Sequence, residues 1–262
     1  MNGESAPVSR LTFRDPQHGV AWQRQLRDRY AHEGVPPVPH LSVKRAVVRP
    51  VSKRLARQII LKYEWLGTMG NTRYHYGIFF GNYCAGVTCV AVGTGTGGVH
   101  VHKEFHLTPQ QVACLVRGAN VHWSPKGANS KLVSWTCRLL ARESGAKLIV
   151  AYADTDAGEI GTIYQACNWT YIGRGSSVTQ FVAPNGRIYD QKLIYNIRFA
   201  RGMLDTVSWS EQKRALLDAG WRIQKTNPKH RYVYVLDRKD KALRDRVAHM
   251  AQPYPKRARA GD

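Results

Sequence analysis

The sequence predicts an α/β domain, a mixed sheet with parallel strands at its centre and helices against it. Three observations carry this. "AKLIVAYAD" (residues 146–154) is a continuous apolar run, the pattern of a strand covered on both faces. The segments flanking it have helical periodicity. The order of elements from "CLVRGANVHW" to "TYIG" is strand, loop, helix, strand, helix, strand, as parallel central strands require.

In chain order, residues 1–42 are polar and hold one helix around Val20–His32 before the proline cluster of "EGVPPVPH", a linker. "KRAVVRPV" is a strand, and Ser52 caps a helix over "SKRLARQIILKYEW". "RYHYGIFF" and "YCAGVTCVAV" are strands joined by a tight hairpin turn at Gly81-Asn82. "SPKGANS" is a loop. In "KLVSWTCRLLARES", Leu132, Trp135 and Leu139 recur at helical spacing, while Val133, Cys137 and Leu140 widen the apolar face. Gly145 ends that helix. A second helix spans Ala157–Asn168, with Ile160, Ile163, Tyr164 and Cys167 on one stripe.

Beyond Gly173 the sequence predicts a β-rich extension ("GRIYDQKLIYNIRFA"), a helix ("WSEQKRALLDAG") and a last hairpin of "WRIQKT" with "RYVYVLD". The expected division is a 1–42 extension and linker, a 43–175 core, a basic β-rich 176–240 extension offering a DNA-binding surface, and a frayed basic 241–262 tail.

Lys and Arg total 39 against 18 Asp and Glu, a formal charge of +21. Such an excess concentrates polyanions and points to a phosphate backbone as partner. No apolar run approaches the roughly 20 residues that span a bilayer, and "MNGESAPVSR" lacks the apolar core of a secretory leader. The expectation is a soluble intracellular protein with no membrane partner. The five cysteines contain no C-x-x-C pair and are expected to be reduced thiols rather than disulfides or zinc ligands.

Four segments carry candidate chemistry. Lys126, Gly127, Ala128, Asn129 and Ser130 form a small-residue turn between strand and helix. There backbone N–H groups can approach a pyrophosphate at the helix N-terminus; an ordinary connection has the same look. Tyr164 stands on the apolar stripe, where a buried tyrosine is commonly a packing residue. In "GGVHVHKEFHL", His100, His102, Glu104 and His106 alternate and would share one strand face. His100 and His106 would then lie about 20 Å apart, so a polar strand face is the better reading than one metal site. Lys225, Lys229, His230 and Arg231, interleaved with Trp221, Tyr232 and Tyr234, form a basic and aromatic cluster able to bind phosphates and stack on a base.

Tyr164 five residues before Trp169, with Asn168 ahead of "TYIG", resembles the GCN5-related N-acetyltransferase fold, whose helix tyrosine faces the coenzyme A sulfur; the resemblance implies that Tyr164 can donate a proton to the leaving thiolate. Asn168-Trp169 stands where that fold usually has Gly-Phe. "LVRGANVHWSPKGANSKLVSW", "LIVAYAD" and "GEIGTIYQACNWTYIGRG" together resemble the Mom family of phage DNA-modification proteins, over most of residues 44–175 and again in "NPKHRYVYVL". The resemblance implies an acetyltransferase-like fold. It also implies an enzyme that converts adenine in DNA to an N6-carbamoylmethyl (acetamido) derivative, shielding phage DNA from restriction in the cytoplasm of the infected host.

It further implies roles for single residues. Arg117 and Ser130 correspond to the coenzyme-binding strand and phosphate loop, for acetyl-CoA or a related donor. Asp154 and Tyr164 match functional positions. His75 and Tyr76 match a pair linked to iron, so that His75, Tyr76 and Asp154 would hold Fe2+. A redox metal has a chemical motive, because the acetamido product joins N6 to a methylene carbon rather than to an acyl carbonyl. The partner would be double-stranded DNA; a homodimer is left open. The rival readings are a coenzyme-A-dependent acetyltransferase of RNA or aminoacyl-tRNA and a non-catalytic DNA-binding protein.

Overall fold

The computed structural model describes residues 22–93, 101–186, 188–191, 194 and 208–256. The chain divides into two compact units, residues 19–174 with 230–262 and residues 1–18 with 175–229.

The larger unit begins with α1 (Trp22–Arg29) and a single 3-10 turn, Ala31–Glu33. Then come β1 (Val47–Pro50), α2 (Lys53–Tyr63), β2 (Tyr74–Phe80) and β3 (Tyr83–Val92). Ser52 caps α2, its hydroxyl accepting from the Leu55 N–H at 3.2 Å. Phe80 faces Tyr83 across the Gly81-Asn82 turn, and Gly81 takes the positive φ of 60° that such a turn demands. A short helix, α3 (Val101–Glu104), leads through a 3-10 turn to β4 (Val112–Asn120), α4 (Ala128–Glu143) and β5 (Leu148–Ala153). The expected strand through the histidine row is therefore a helical turn over 101–104; His100 lies outside the described residues.

The expected second helix is shorter than its apolar stripe. A 3-10 turn, Thr155–Ala157, precedes α5 (Thr162–Ala166) because Gly158 and Gly161 both adopt left-handed φ and interrupt the helix. β6 (Thr170–Arg174) follows.

The smaller unit holds β7 (Thr179–Val182), β8 (Ile188–Asp190), α6 (Trp209–Asp218) and β9 (Arg222–Lys225), with β7 central in a three-stranded antiparallel sheet. Ser208 and Glu211 close a reciprocal capping box on α6. Residues 195–207 of the expected β-rich stretch lie outside the described residues.

The chain then returns to the first unit as β10 (His230–Val235), inserted between β5 and β6 and antiparallel to both. The seven strands stand in the order β1-β2-β3-β4-β5-β10-β6, with β4 and β5 parallel. This corrects the expected last hairpin, since "WRIQKT" pairs with β7 and "RYVYV" with the central sheet. Residues 175–229 are an insertion ahead of the penultimate strand in space. α7 (Lys241–His249) corrects the expected frayed tail. Asp240 caps it, and Leu243 and Val247, one turn apart, are buried against Leu148, Val150, Ile172 and Val233. Residues after α7 cover the outer edge of β6, the Gln252 N–H donating to the Tyr171 carbonyl and the Tyr254 hydroxyl to the Trp169 carbonyl, each at 2.8 Å. Residues 257–262 lie outside the description. Among the described residues no helix is long and apolar enough to cross a membrane.

Candidate active site

β4 and β5 pair only from Val112–Leu148 to Leu115–Ala151. β4 continues to Asn120, still held by β3 on its other edge. The reason for the parting is local: Cys89 faces Arg117 and Val90 faces Leu115, so Val116 is an extra residue that bulges β4 and bends it. A cavity of about 480 Å³ fills the gap, lined by Leu115 and Gly118–Asn120 from β4 and by Ala153 from β5.

One wall of the cavity is the turn into α4. Lys126, Gly127, Asn129 and Ser130 line it, while Ala128 is fully buried beneath. Gly127 is the N-cap in a left-handed conformation (φ 88°) with no side-chain cap, so the first-turn N–H groups of α4 are not closed off by a side chain. The opposite wall is Glu159–Tyr164. Tyr164 packs between Trp169 (centroids 5.1 Å apart) and Tyr232 (5.3 Å). Burial, and then the neighbouring Glu159 carboxylate, push its phenol well above the ordinary range, so it is protonated at neutral pH.

This wall depends on Gly161. It caps α5 at φ 73°, and a Cβ there would lie 2.3 Å from Cε2 of Tyr232. Tyr232 is fully buried; its hydroxyl donates to the Ile160 carbonyl at 2.5 Å and accepts from Gln165 Nε2 at 3.0 Å.

Asp154, expected beside Tyr164, is buried and does not line the cavity. Its carboxylate accepts from the Asp156 N–H at 3.0 Å and caps the 3-10 turn. The Asp154 N–H donates to Glu159 Oε2 at 3.2 Å. The carboxylate facing the cleft is thus Glu159, which sequence reasoning passed over although it stands in the quoted "GEIG". Arg24 and Arg27 of α1, which also line the cavity, were missed as well.

Arg117 does not line the cavity either. Its guanidinium donates to the Thr68 carbonyl (2.6 Å), the Val116 carbonyl (2.7 Å) and the Thr68 hydroxyl (3.0 Å), with Glu64 at 3.8 Å. It fastens the bulge rather than facing a ligand.

The residues expected to hold iron do not converge. His75 and Tyr76 are consecutive on β2 and so face opposite sides of the sheet. Nε2 of His75 meets the Thr72 hydroxyl at 3.0 Å, and burial followed by nearby Lys53 lowers its pKa. The Tyr76 hydroxyl donates to Glu143 Oε2 at 2.9 Å, and burial raises its pKa. Asp154 is three strand positions from β2, about 14 Å of lateral spacing, whereas ligands approach a metal to about 2 Å. This donor set does not fit a shared ion. Among the described residues no group of three His, Cys, Asp or Glu is placed to hold one.

The basic cluster is divided. His230 is 3% exposed and its Nδ1 lies 2.9 Å from the Tyr171 hydroxyl; Nη1 of Arg231 donates to both oxygens of Glu104, at 2.8 and 2.9 Å. Lys225 and Lys229 belong to the smaller unit, where Lys225 ends β9 exposed. None of the five cysteines is in a disulfide, and burial pushes Cys84 up to about 11 and Cys89 up to about 12, leaving neither as a thiolate at neutral pH.

The model of the Mom protein family matches residues 45–256, and the chain belongs to that family. Solved structures with a similar fold include an N-acetyltransferase from Staphylococcus aureus Mu50 (7% identity, 73% of this chain and 97% of that one, TM-score 0.38). An N-acyl amino acid synthase from uncultured soil microbes is similar at 15% identity, 74% and 94% coverage and TM-score 0.40. A Bacillus subtilis acetyltransferase in complex with CoA is similar at 11% identity, 73% and 97% coverage and TM-score 0.38. At such scores the fold assignment rests on the sheet order itself. No curated protein matches the chain significantly.

Proposed function

We propose that this member of the Mom family modifies adenine in double-stranded DNA at N6, forming the carbamoylmethyl derivative from a coenzyme-A-type donor held between β4 and β5. The observation that carries the reading is the cleft, in which an uncapped, lysine-bearing helix N-terminus and a protonated tyrosine line one cavity. Family membership and the +21 charge support the polyanionic acceptor.

The chain's own groups fit such a donor. The Lys126–Ser130 turn offers backbone N–H groups and a cation to its phosphates. The β4 edge beyond Leu115, without a partner strand, offers backbone donors and acceptors along its length. When the adenine amine attacks, it must shed a proton and the leaving group must gain one. Glu159 is the carboxylate in the cleft that can take the first, and Tyr164 the phenol that can give the second. Burial keeps Tyr164 protonated at neutral pH, so its hydroxyl stands as a hydrogen-bond donor to the departing atom. An N6–methylene bond balances only with a donor that carries the carbamoylmethyl group on its leaving atom: N6–CH2 forms as the bond from that methylene to the leaving atom breaks.

The test is nucleoside analysis of DNA and tRNA from cells expressing the chain. An adenosine derivative in DNA heavier by one carbamoylmethyl group is the expected result. An acetylated nucleoside or aminoacyl group in tRNA would assign the RNA reading instead, and unmodified nucleic acid would leave a binding protein.

A further inference from the structure

Arg117, the guanidinium that sequence reasoning gave to the donor, is spent on the fold. Two other arginines line the cavity, Arg24 with 69% and Arg27 with 39% of its side chain exposed. Arg24 and Arg27, three residues apart on α1, share one face of that helix and line the cavity together with Lys126. α1 is pinned on both sides of them. Gln23 bonds the Tyr63 carbonyl and accepts from the Trp65 N–H, Tyr30 packs edge-on against Tyr63 with centroids 5.0 Å apart, and Glu33 pairs with Lys62 at 2.6 Å. The helix is thereby fixed over the cleft without using either arginine.

Neither arginine has a close counter-ion among the described residues. Both reach only Asp28, Arg24 at 3.9 Å and Arg27 at 4.0 Å, the outer limit of pairing. Nε of Arg27 is buried with no hydrogen-bond partner among the described residues. A buried donor left unpaired is costly, and a ligand acceptor removes that cost. The cavity wall thus holds three cationic side chains, Arg24, Arg27 and Lys126, against the single carboxylate of Glu159, beside an uncapped helix N-terminus. That is a surplus of positive charge along the wall, the electrostatic setting for an anion.

We propose that Arg24 and Arg27 clamp the phosphate groups of the nucleotide donor, completing with Lys126 and the α4 turn a site that closes over the donor from the N-terminal side. Guanidinium forks suit phosphate oxygens, and such charge-assisted bonds are the strong ones. α1 precedes the residues matched by the family model, 45–256, so the clamp is assigned to this chain's own N-terminal segment. The inference rests on the donor reading above and specifies which residues hold the donor.

Calorimetry on the full chain tests it, with coenzyme A, dephospho-coenzyme A and pantetheine as probes for the wild type and an Arg24→Ala/Arg27→Ala variant. Alanine favours the helix, so the unliganded melting midpoint serves as the control for folding. The expected result is a loss of about tenfold or more in coenzyme A affinity, the scale of one or two charge-assisted bonds, with pantetheine affinity unaltered. Dephospho-coenzyme A then tells which phosphate is held: equal loss marks the diphosphate, no loss the terminal 3′-phosphate. Unchanged coenzyme A affinity in the variant overturns the clamp alone, as does an equal loss for pantetheine. A variant that keeps coenzyme A and loses affinity for duplex DNA also overturns it. A wild type that binds no coenzyme A sinks the donor reading and the clamp with it.

Discussion

The β4–β5 cleft and the His75–Tyr76 stretch of β2 both carry residue types that chemistry uses, yet the fold treats them oppositely. On β2 the strand is paired along both edges, and each side chain meets a neighbour, His75 at Thr72 and Tyr76 at Glu143. At β4 a single extra residue, Val116, breaks the pairing with β5 and leaves a cavity that Tyr164 and Glu159 face. A reactive side chain becomes a site where strand pairing fails, and a packing element where it holds.

The largest effect should come from closing the cleft wall at Gly161. Gly161→Val adds left-handed strain of roughly 1–2 kcal/mol and an overlap with Tyr232 of roughly 1–3 kcal/mol. The midpoint of urea unfolding should fall accordingly, with activity lost alongside. A variant as stable as the wild type would mean that Tyr232 does not hold this wall.

Tyr164→Phe sharpens the contrast. The ring still packs between Trp169 and Tyr232, but the proton is gone, so modification should drop by about 10²–10⁴-fold while the melting midpoint holds. On β2, His75→Ala should do the reverse. Losing the Thr72 contact costs about 1 kcal/mol, and modification per folded molecule should stay near the wild-type level.

The smallest effect is a pH dependence. Burial lowers the pKa of His75 and of His230 below the ordinary 6.5, so the unfolded chain binds protons that the folded one refuses. Stability from these two groups is complete above about 6.5 and declines as pH falls below it, levelling off under the folded values. Melting curves of wild type and His75→Gln should converge as the pH is lowered; curves that stay parallel would place the acid sensitivity elsewhere.

Much of this contrast was legible wherever it is local. The Ser52 cap, the Gly81-Asn82 turn, the helix through Leu132 and Leu140 and the covered strand at 148–153 follow from short-range pattern and appear where expected. What was not legible depends on partners distant in sequence. "RYVYV" alternates like any strand, and nothing within it says that it pairs with residues 148–153 rather than with the adjacent "WRIQKT". Likewise a histidine and a tyrosine on β2 look alike whether they face an ion or a threonine. Arg24 and Arg27 carry no local motif, and only the packing of α1 sets them beside the cleft. The bulge at Val116 leaves no mark in composition at all.

Where the chemistry happens is measured directly by the fraction of modified adenosine in DNA from cells expressing wild type, Tyr164→Phe or His75→Ala at matched soluble levels. Chemistry in the cleft predicts modification in wild type and His75→Ala and almost none in Tyr164→Phe. Full modification by Tyr164→Phe together with none by His75→Ala would contradict it and move the reaction to β2.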